Sequence, residues 1–162
     1  MKTFCYTATI AVLLLFTFGF ITKKSDQLTD KQQDQIKKEV ITVGDSIMAR
    51  FERLDTEGAL QLYSPDFIGF ALGGDKFDLQ EYKKYCTDIF NSATLYKWTP
   101  YGLDFIVITK DFVVVSQDGR NETIMKSGAK LIFDPSHYTF AFKKIEGQWK
   151  LFYHHFSGTY MK

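Results

Sequence analysis

The order of its periodic segments is the feature that most constrains this chain, because helical patterns come first and strand patterns fill the sequence after Thr94. Spacings of three and four between apolar residues predict helices, and β-branched and aromatic runs predict strands. The predicted helices are 30–54, 56–63 and 79–92, and the predicted strands are 67–72, 95–98, 103–108, 112–117, 123–126, 138–144 and 149–156. Helices followed by a strand meander predict an α+β domain, with the helices on one face of a curved antiparallel sheet.

The first 21 residues have the pattern of an export signal. Lys2 is their only charged residue, and an apolar run follows from Ile10 to Ile21. Thr17 and Gly19 are small residues spaced like the positions before a cleavage site, which favours a signal peptide and a periplasmic or secreted protein. The alternative is an uncleaved anchor over 4–21, which is near the shortest length that spans a bilayer.

This interpretation divides the chain into a signal peptide or anchor over 1–21, a polar spacer over 22–29 and a folded domain over 30–162. The chain has 20 basic and 19 acidic residues, so removing Lys2 leaves 19 of each. A balanced charge indicates no nucleic-acid partner and no basic membrane patch. Membrane contact is expected only through residues 4–21, if they remain attached. Cleavage would leave Cys86 as the single cysteine, so an intramolecular disulfide is not expected.

The sequence contains no pattern that indicates a cofactor or a metal. Gly73-Gly74 is predicted to be a hairpin turn, because no strand–turn–helix phosphate motif surrounds it. His137 and His154 are predicted on the outer sheet face without a carboxylate or cysteine that would complete a metal site. We therefore expect no cofactor and no metal.

The last two strands predict which side chains face the helices. With Glu146-Gly147 as a two-residue turn, Phe142 faces Leu151, Phe140 faces Tyr153 and Tyr138 faces His155. These pairs, with Trp149, form an apolar side that is predicted to be the concave, helix-covered one. Any change of register would turn these side chains to the other face.

The segment from Lys144 to Gly158 resembles the last hairpin of the SnoaL-like branch of the nuclear transport factor 2-like superfamily. Trp149, His155, Ser157 and Gly158 fall on its characteristic positions, and the segment from Asp55 to Phe67 resembles the second helix and first strand of that family. The resemblance covers roughly residues 30–158 and implies a cone-shaped α+β fold. It implies no single chemistry, because the superfamily includes isomerases, dehydratases, cyclases, binding proteins and assembly domains.

Six residues are candidates for contacts to a ligand in the cone: Tyr63, Tyr96, Asp104, Tyr138, Tyr153 and His155. His155 would orient a ligand or move a proton, and the alternative is a core histidine with a hydrogen-bonded ring. Asp104 would act as a base if it pointed into the cone, and is otherwise a strand-end residue in solvent. The tyrosines have core or surface packing as their alternative roles.

Three functions fit these residues. The first is binding of a small apolar or aromatic molecule in the conical pocket. The second is acid–base catalysis there, of the isomerase, dehydratase or cyclase type, and the third is a dimerisation or assembly domain without a ligand. The absence of a nameable acid–base pair in the sequence favours the first.

A second apolar sheet face predicts a homodimer. The hairpin from Phe105 to Val115 is apolar on both sides, with Ile106, Ile108, Val113 and Val115 predicted on one side and Phe105, Val107, Phe112 and Val114 on the other. Helices cover one side only, so the outer side, extended by Phe152 and Phe156, is predicted to meet a second copy. The alternative is that a loop over 126–136 folds back across it.

The export signal predicts where the mature chain begins. N-terminal sequencing of protein recovered from its host is expected to start near Phe20, in a fraction outside the cytoplasm. An intact Met1 on cytoplasmic protein would contradict this prediction.

Overall fold

The computed structural model describes residues 27–161. The predicted targeting segment 1–21 and most of the predicted spacer 22–29 lie outside the described residues. The helices are α1 Asp30–Glu52, α2 Thr56–Leu60 and α3 Leu79–Ser92. The strands are β1 Tyr63–Phe70, β2 Lys76–Phe77, β3 Ala93–Ile108, β4 Phe112–Met125, β5 Lys130–Ile145 and β6 Gln148–Met161.

Capping residues begin both long helices where the sequence predicts them. Thr29 and Gln32 form a capping box at α1, and Asp78 and Glu81 form one at α3. Helix α3 has the predicted bounds, and α1 ends two residues early. No helix within residues 27–161 is long and apolar enough to cross a membrane.

The strands form one curved, unclosed sheet in the order β2-β1-β6-β5-β4-β3, antiparallel except where β1 runs parallel to β6. The helices pack on its concave face. There the buried α1 residues Ile36, Val40, Ile47 and Phe51 join the inward side chains of the strands in one apolar core. The predicted α+β fold class is confirmed.

Strands β3, β4 and β5 are longer than predicted. β3 continues through Pro100, which a sheet tolerates because β3 is an edge strand without a partner on one side. β4 continues through Asp118 and Gly119, so the strands predicted separately over 112–117 and 123–126 are one strand. Gly119 serves packing instead, because a Cβ at that position would lie 2.5 Å from Cη2 of Trp98.

The β5–β6 hairpin has the predicted turn. Glu146 and Gly147 both have positive φ angles, 50° and 80°, as a type I′ turn requires. Phe142 pairs with Leu151 as predicted. Trp149 is buried on the same side, as predicted, and its Nε1 donates a hydrogen bond of 2.8 Å to Glu39 of α1.

Beyond Leu151 the predicted register is wrong, because a β-bulge at Phe152 adds one residue to β6. Phe140 therefore pairs with His154 rather than with Tyr153. The bulge turns His154 into the core and leaves His155 exposed on the outer face. The predicted positions of these two histidines are exchanged.

A second bulge, at Ile106, places Phe105 and Ile106 on the sheet faces opposite to those predicted. Phe105 pairs with Val115 and faces inward, Val107 pairs with Val114 on the outer side, and Ile106 is 61% exposed. Phe156 also lies on the inner side, where it stacks on Tyr138 at 4.7 Å between ring centroids. Residues 130–136 are part of β5, so the alternative of a covering loop over 126–136 is wrong.

His154 lies among aromatic rings at the point where β6 passes β1. It is 3% exposed and meets Phe67 and Tyr82 edge to face at centroid distances of 5.2 and 4.7 Å. Burial, assisted by the neighbouring His155, lowers the pKa of His154 from 6.5 to about 3. The ring is therefore neutral in the folded protein near pH 7.

The low pKa of His154 predicts a loss of stability in acid. Between pH 6.5 and about 3 the unfolded chain binds a proton at this residue and the folded chain does not. The free energy of unfolding should therefore fall as the pH drops through that window, by up to about 1.4 kcal/mol per unit from this residue. Denaturant titrations at several pH values, compared between wild type and His154→Gln, measure the effect.

The variant is expected to have a flatter dependence of stability on pH than wild type, even if it is less stable at pH 7. His155→Gln, which changes the exposed neighbour, is the matched control and should keep the wild-type dependence. Equal slopes for wild type and His154→Gln would mean that His154 is not buried in its neutral form.

Candidate functional site

A cavity of about 250 Å³ lies on the concave side of the sheet, between α1 and strands β3, β4 and β5. Its wall is mainly apolar. Strands β3, β4 and β5 contribute Phe105, Val115, Phe140 and Phe142, β6 adds Leu151, and α1 contributes Val40, Ile41, Ile47 and Met48. The side chains of the wall that can form charged or hydrogen-bonded contacts include those of Asp45, Glu52 and Gln117. An apolar wall with a few polar groups is the usual composition of a ligand site.

Trp98 closes one end of the cavity. Its backbone N–H donates a hydrogen bond of 3.2 Å to Glu52 Oε1, which ties the last residue of α1 to β3. The ring is 6% exposed and meets Tyr138 edge to face at 5.0 Å. Within residues 27–161 its Nε1 is buried and has no hydrogen-bond partner. A buried donor left without an acceptor costs about 1–3 kcal/mol.

Gly44 opens the helical wall of the cavity. It lies near the middle of α1, where glycine costs about 0.5–1 kcal/mol relative to alanine. It lines the cavity, and a Cβ added there would meet no atom within 4 Å. Its missing side chain therefore leaves space that most other residues would occupy.

A separate group of buried polar side chains lies deeper between the helices and the sheet. Asn121 donates hydrogen bonds to the hydroxyl oxygens of Tyr96 and Tyr138, at 2.9 and 3.1 Å. Tyr63 and Tyr82 stack beside them at 5.8 Å. Aromatic rings thus fill this part of the concave side.

Burial shifts the titration of these groups away from neutrality. Desolvation raises the pKa of Tyr96 and of Cys86 to about 12, and it raises the pKa values of Tyr63, Tyr82 and Tyr138 well above the usual value. His154, with its low pKa, is also neutral. General acid–base catalysis is most efficient with a pKa near the working pH, which none of these groups has.

Of the six residues predicted to contact a ligand, three are tyrosines that pack in the core or against it, and three lie outside the core. Tyr96 and Tyr138 meet at Asn121, and Tyr63 packs in the aromatic core. Asp104 is exposed on the edge strand opposite Ser116.

Tyr153 and His155 lie beside Phe70, at 6.1 and 6.4 Å between ring centroids. Tyr153 is half-buried, and His155 is exposed. The bulge at Phe152 is the reason that their predicted place on the inner face is wrong. None of the six candidates lines the cavity between α1 and β3–β5.

Sequence reasoning missed the residues that do line the cavity. Two of them carry a signal that could have been used. Gln117 continues the inward series of Val113 and Val115 with a polar residue, and Gly44 is a glycine near the middle of a predicted helix, where glycine is unfavourable. Trp98 carries no such signal, because an aromatic residue in a strand is ordinary core.

Among residues 27–161 no group of three or more histidine, cysteine, aspartate or glutamate side chains is arranged to hold a metal ion. His137 is on the exposed side, where its Nδ1 lies 2.7 Å from Asp118. His154 is in the core, so the two histidines predicted on one face are on opposite faces.

Several solved structures share this fold. A candidate scytalone dehydratase from Novosphingobium aromaticivorans has a TM-score of 0.74 at 12% identity, over 81% of this chain and 89% of its own. A hexachlorocyclohexane dehydrochlorinase from Novosphingobium barchaimii has a TM-score of 0.69 at 9% identity, over 82% and 93%. A candidate calcium/calmodulin-dependent protein kinase II association domain from Xanthomonas campestris has a TM-score of 0.65 at 20% identity, over 75% and 86%.

These identities establish a common fold and no common chemistry. No curated protein matches the chain in sequence. The SnoaL-like domain family matches residues 40–161, which includes most of α1, the other helices and all six strands. The chain belongs to the SnoaL-like domain family.

Proposed function

We propose that this domain binds a small, largely apolar molecule in the cavity between α1 and strands β3–β5, and that it does so outside the cytoplasm. The observation that carries the proposal is Gly44, a glycine kept inside a helix where its missing side chain leaves room in an apolar cavity. Helix stability alone would favour alanine at this position.

The size of the cavity supports a ligand of one or two rings. Its volume is about 250 Å³, just below the roughly 300–1,000 Å³ of sites for drug-sized molecules. A dry apolar cavity of about 150 Å³ binds one benzene molecule in another protein.

The acid–base alternative has less support from the same residues. The buried tyrosines, Cys86 and His154 keep their neutral forms near pH 7 because of desolvation. No carboxylate among the hydrogen-bond partners of these groups would activate one of them. We therefore do not propose the activity of the dehydratase or of the dehydrochlorinase for this chain.

Filling the cavity from Gly44 tests the proposed binding. Gly44→Leu places a side chain in the open space and is expected to abolish binding of phenylpropanol. Gly44→Ala is the matched control, because it adds one methyl group and should retain most of the binding. Both variants should fold, since each removes a helix glycine and gains about 0.5–1 kcal/mol of helix stability.

Nuclear magnetic resonance gives a direct readout, because the chain has only two tryptophans. The Trp98 indole N–H signal should shift with added phenylpropanol, whereas the Trp149 N–H, held by Glu39, should stay in place. No shift of the Trp98 signal in wild type, or an equal shift in Gly44→Leu, would contradict the proposal.

The outer sheet face supports a second proposal, that two copies of the chain form a homodimer through it. The half-buried Phe112, Val114 and Phe152 lie on this face with Val107, which is 39% exposed. Phe112 and Phe152 meet at 5.6 Å between ring centroids. An antiparallel sheet with a solvated outer face would alternate apolar and polar residues instead.

Light scattering at micromolar concentration is expected to give the mass of a dimer. Phe152→Glu should shift the mass to that of a monomer, because it places a charge in the apolar contact. Leu72→Glu is the matched control at a leucine that is 40% exposed in the β1–β2 turn, and it should remain dimeric. A monomeric wild type would rule the dimer out.

A further inference from the structure

We propose that the molecule bound in this cavity is a small organic cation, an apolar amine whose ammonium group lies at the Trp98–Glu52 end. This inference rests on the proposed binding function and adds the charge of the ligand and its orientation.

Two contacts show how α1 lies along β3, and therefore which residues are at each end of the cavity. Glu52, at the C-terminal end of α1, accepts the backbone N–H of Trp98 in β3. Lys37, four turns earlier on the same helix, lies over the ring of Phe105, with its Nζ 5.9 Å from the centroid. Helix and strand therefore run antiparallel, and the cavity extends from a Phe105 end to a Trp98 end.

The charges of the wall are all negative. Asp45 and Glu52 are seven residues apart on α1, two helical turns, and both line the cavity as exposed residues. Within residues 27–161 no lysine or arginine lines it. The C-terminus of α1, at Glu52, adds the partial negative charge of the helix dipole. The Trp98 end is therefore favourable for a cation and unfavourable for a carboxylate ligand.

The nearby cations do not reverse this field at the Trp98 end. Arg50 donates a hydrogen bond to the carbonyl oxygen of Gly58, in α2. Lys37 is at the opposite end and is 3.8 Å from Asp34. Arg53 follows Glu52 at the end of α1 but does not line the cavity.

The indole of Trp98 is the aromatic group at the negative end of the cavity. Tryptophan is the best aromatic partner for an ammonium group over its ring face. The apolar body of the amine would then lie along Val115, Phe105 and Met48.

Three matched compounds test the charge: phenylpropylamine, phenylpropanol and phenylpropanoate. Each is titrated into the wild-type protein at low salt, and the Trp98 indole signal gives the dissociation constant. The amine should bind about three- to tenfold more tightly than the alcohol, and the carboxylate should bind most weakly. The advantage of the amine should shrink at high salt, because the carboxylates are exposed.

Substitutions then locate the effect. In the double variant Asp45→Asn, Glu52→Gln the amine should lose its advantage, so that the amine and the alcohol have similar dissociation constants, and the glutamine retains an oxygen for the Trp98 backbone N–H. Asp88→Asn, a carboxylate on α3 that pairs with Lys84 away from the cavity, is the matched control and should keep the preference.

The outcomes separate this inference from the function on which it rests. If none of the three compounds shifts the Trp98 signal, the proposed binding function fails. If the alcohol or the carboxylate binds at least as tightly as the amine, the cavity binds ligands but the cationic class is wrong. If the amine still binds more tightly than the alcohol in the double variant, the inference is also overturned, because groups other than Asp45 and Glu52 would then account for the preference.

Discussion

Two carboxylates tie helix α1 to the sheet, and the arrangement of the concave side depends on them. Glu39 accepts the indole N–H of Trp149 in β6, and Glu52 accepts the backbone N–H of Trp98 in β3. They are 13 residues apart, roughly 20 Å of helix. The helix therefore crosses from β6 to the far edge of the sheet. Core packing through Val40, Ile47 and Phe51 holds it there, and the space that small residues leave beneath it is the cavity.

The predictable part of this fold comes from local signals. The capping residues Thr29 and Asp78 and the turn at Glu146-Gly147 act within a few residues, so the sequence predicts them well. The bulges at Ile106 and Phe152 have no such signal, because the extra residue is accommodated by curvature of the whole sheet. A single bulge exchanges the faces of every later residue in the strand, which is why the predicted inner histidine is the wrong one.

The position of the cavity could not be predicted from the sequence, for a related reason. The pocket predicted from the sequence consists mainly of polar and aromatic residues on the last strands. Three of them, Tyr63, Tyr96 and Tyr138, pack in the core or against it. The observed cavity lies toward the edge strand instead, and its position follows from how α1 packs across the sheet. Gly44 and Gln117 are the two positions where the sequence departs from a pure core pattern, and both line the cavity.

The buried polar cluster and the cavity are mechanically connected through Trp98. Asn121 holds the hydroxyl groups of Tyr96 and Tyr138, and the Tyr138 ring meets Trp98 edge to face. On the other side, Gly119 allows the indole to lie against the backbone of β4, where any side chain would clash with it. Hydrogen bonds rigidify a buried polar cluster, so this cluster holds the ring of Tyr138 against the indole. In the proposed binding function, the tyrosines of the cluster would therefore position the cavity wall without contact to the ligand and without acid–base chemistry.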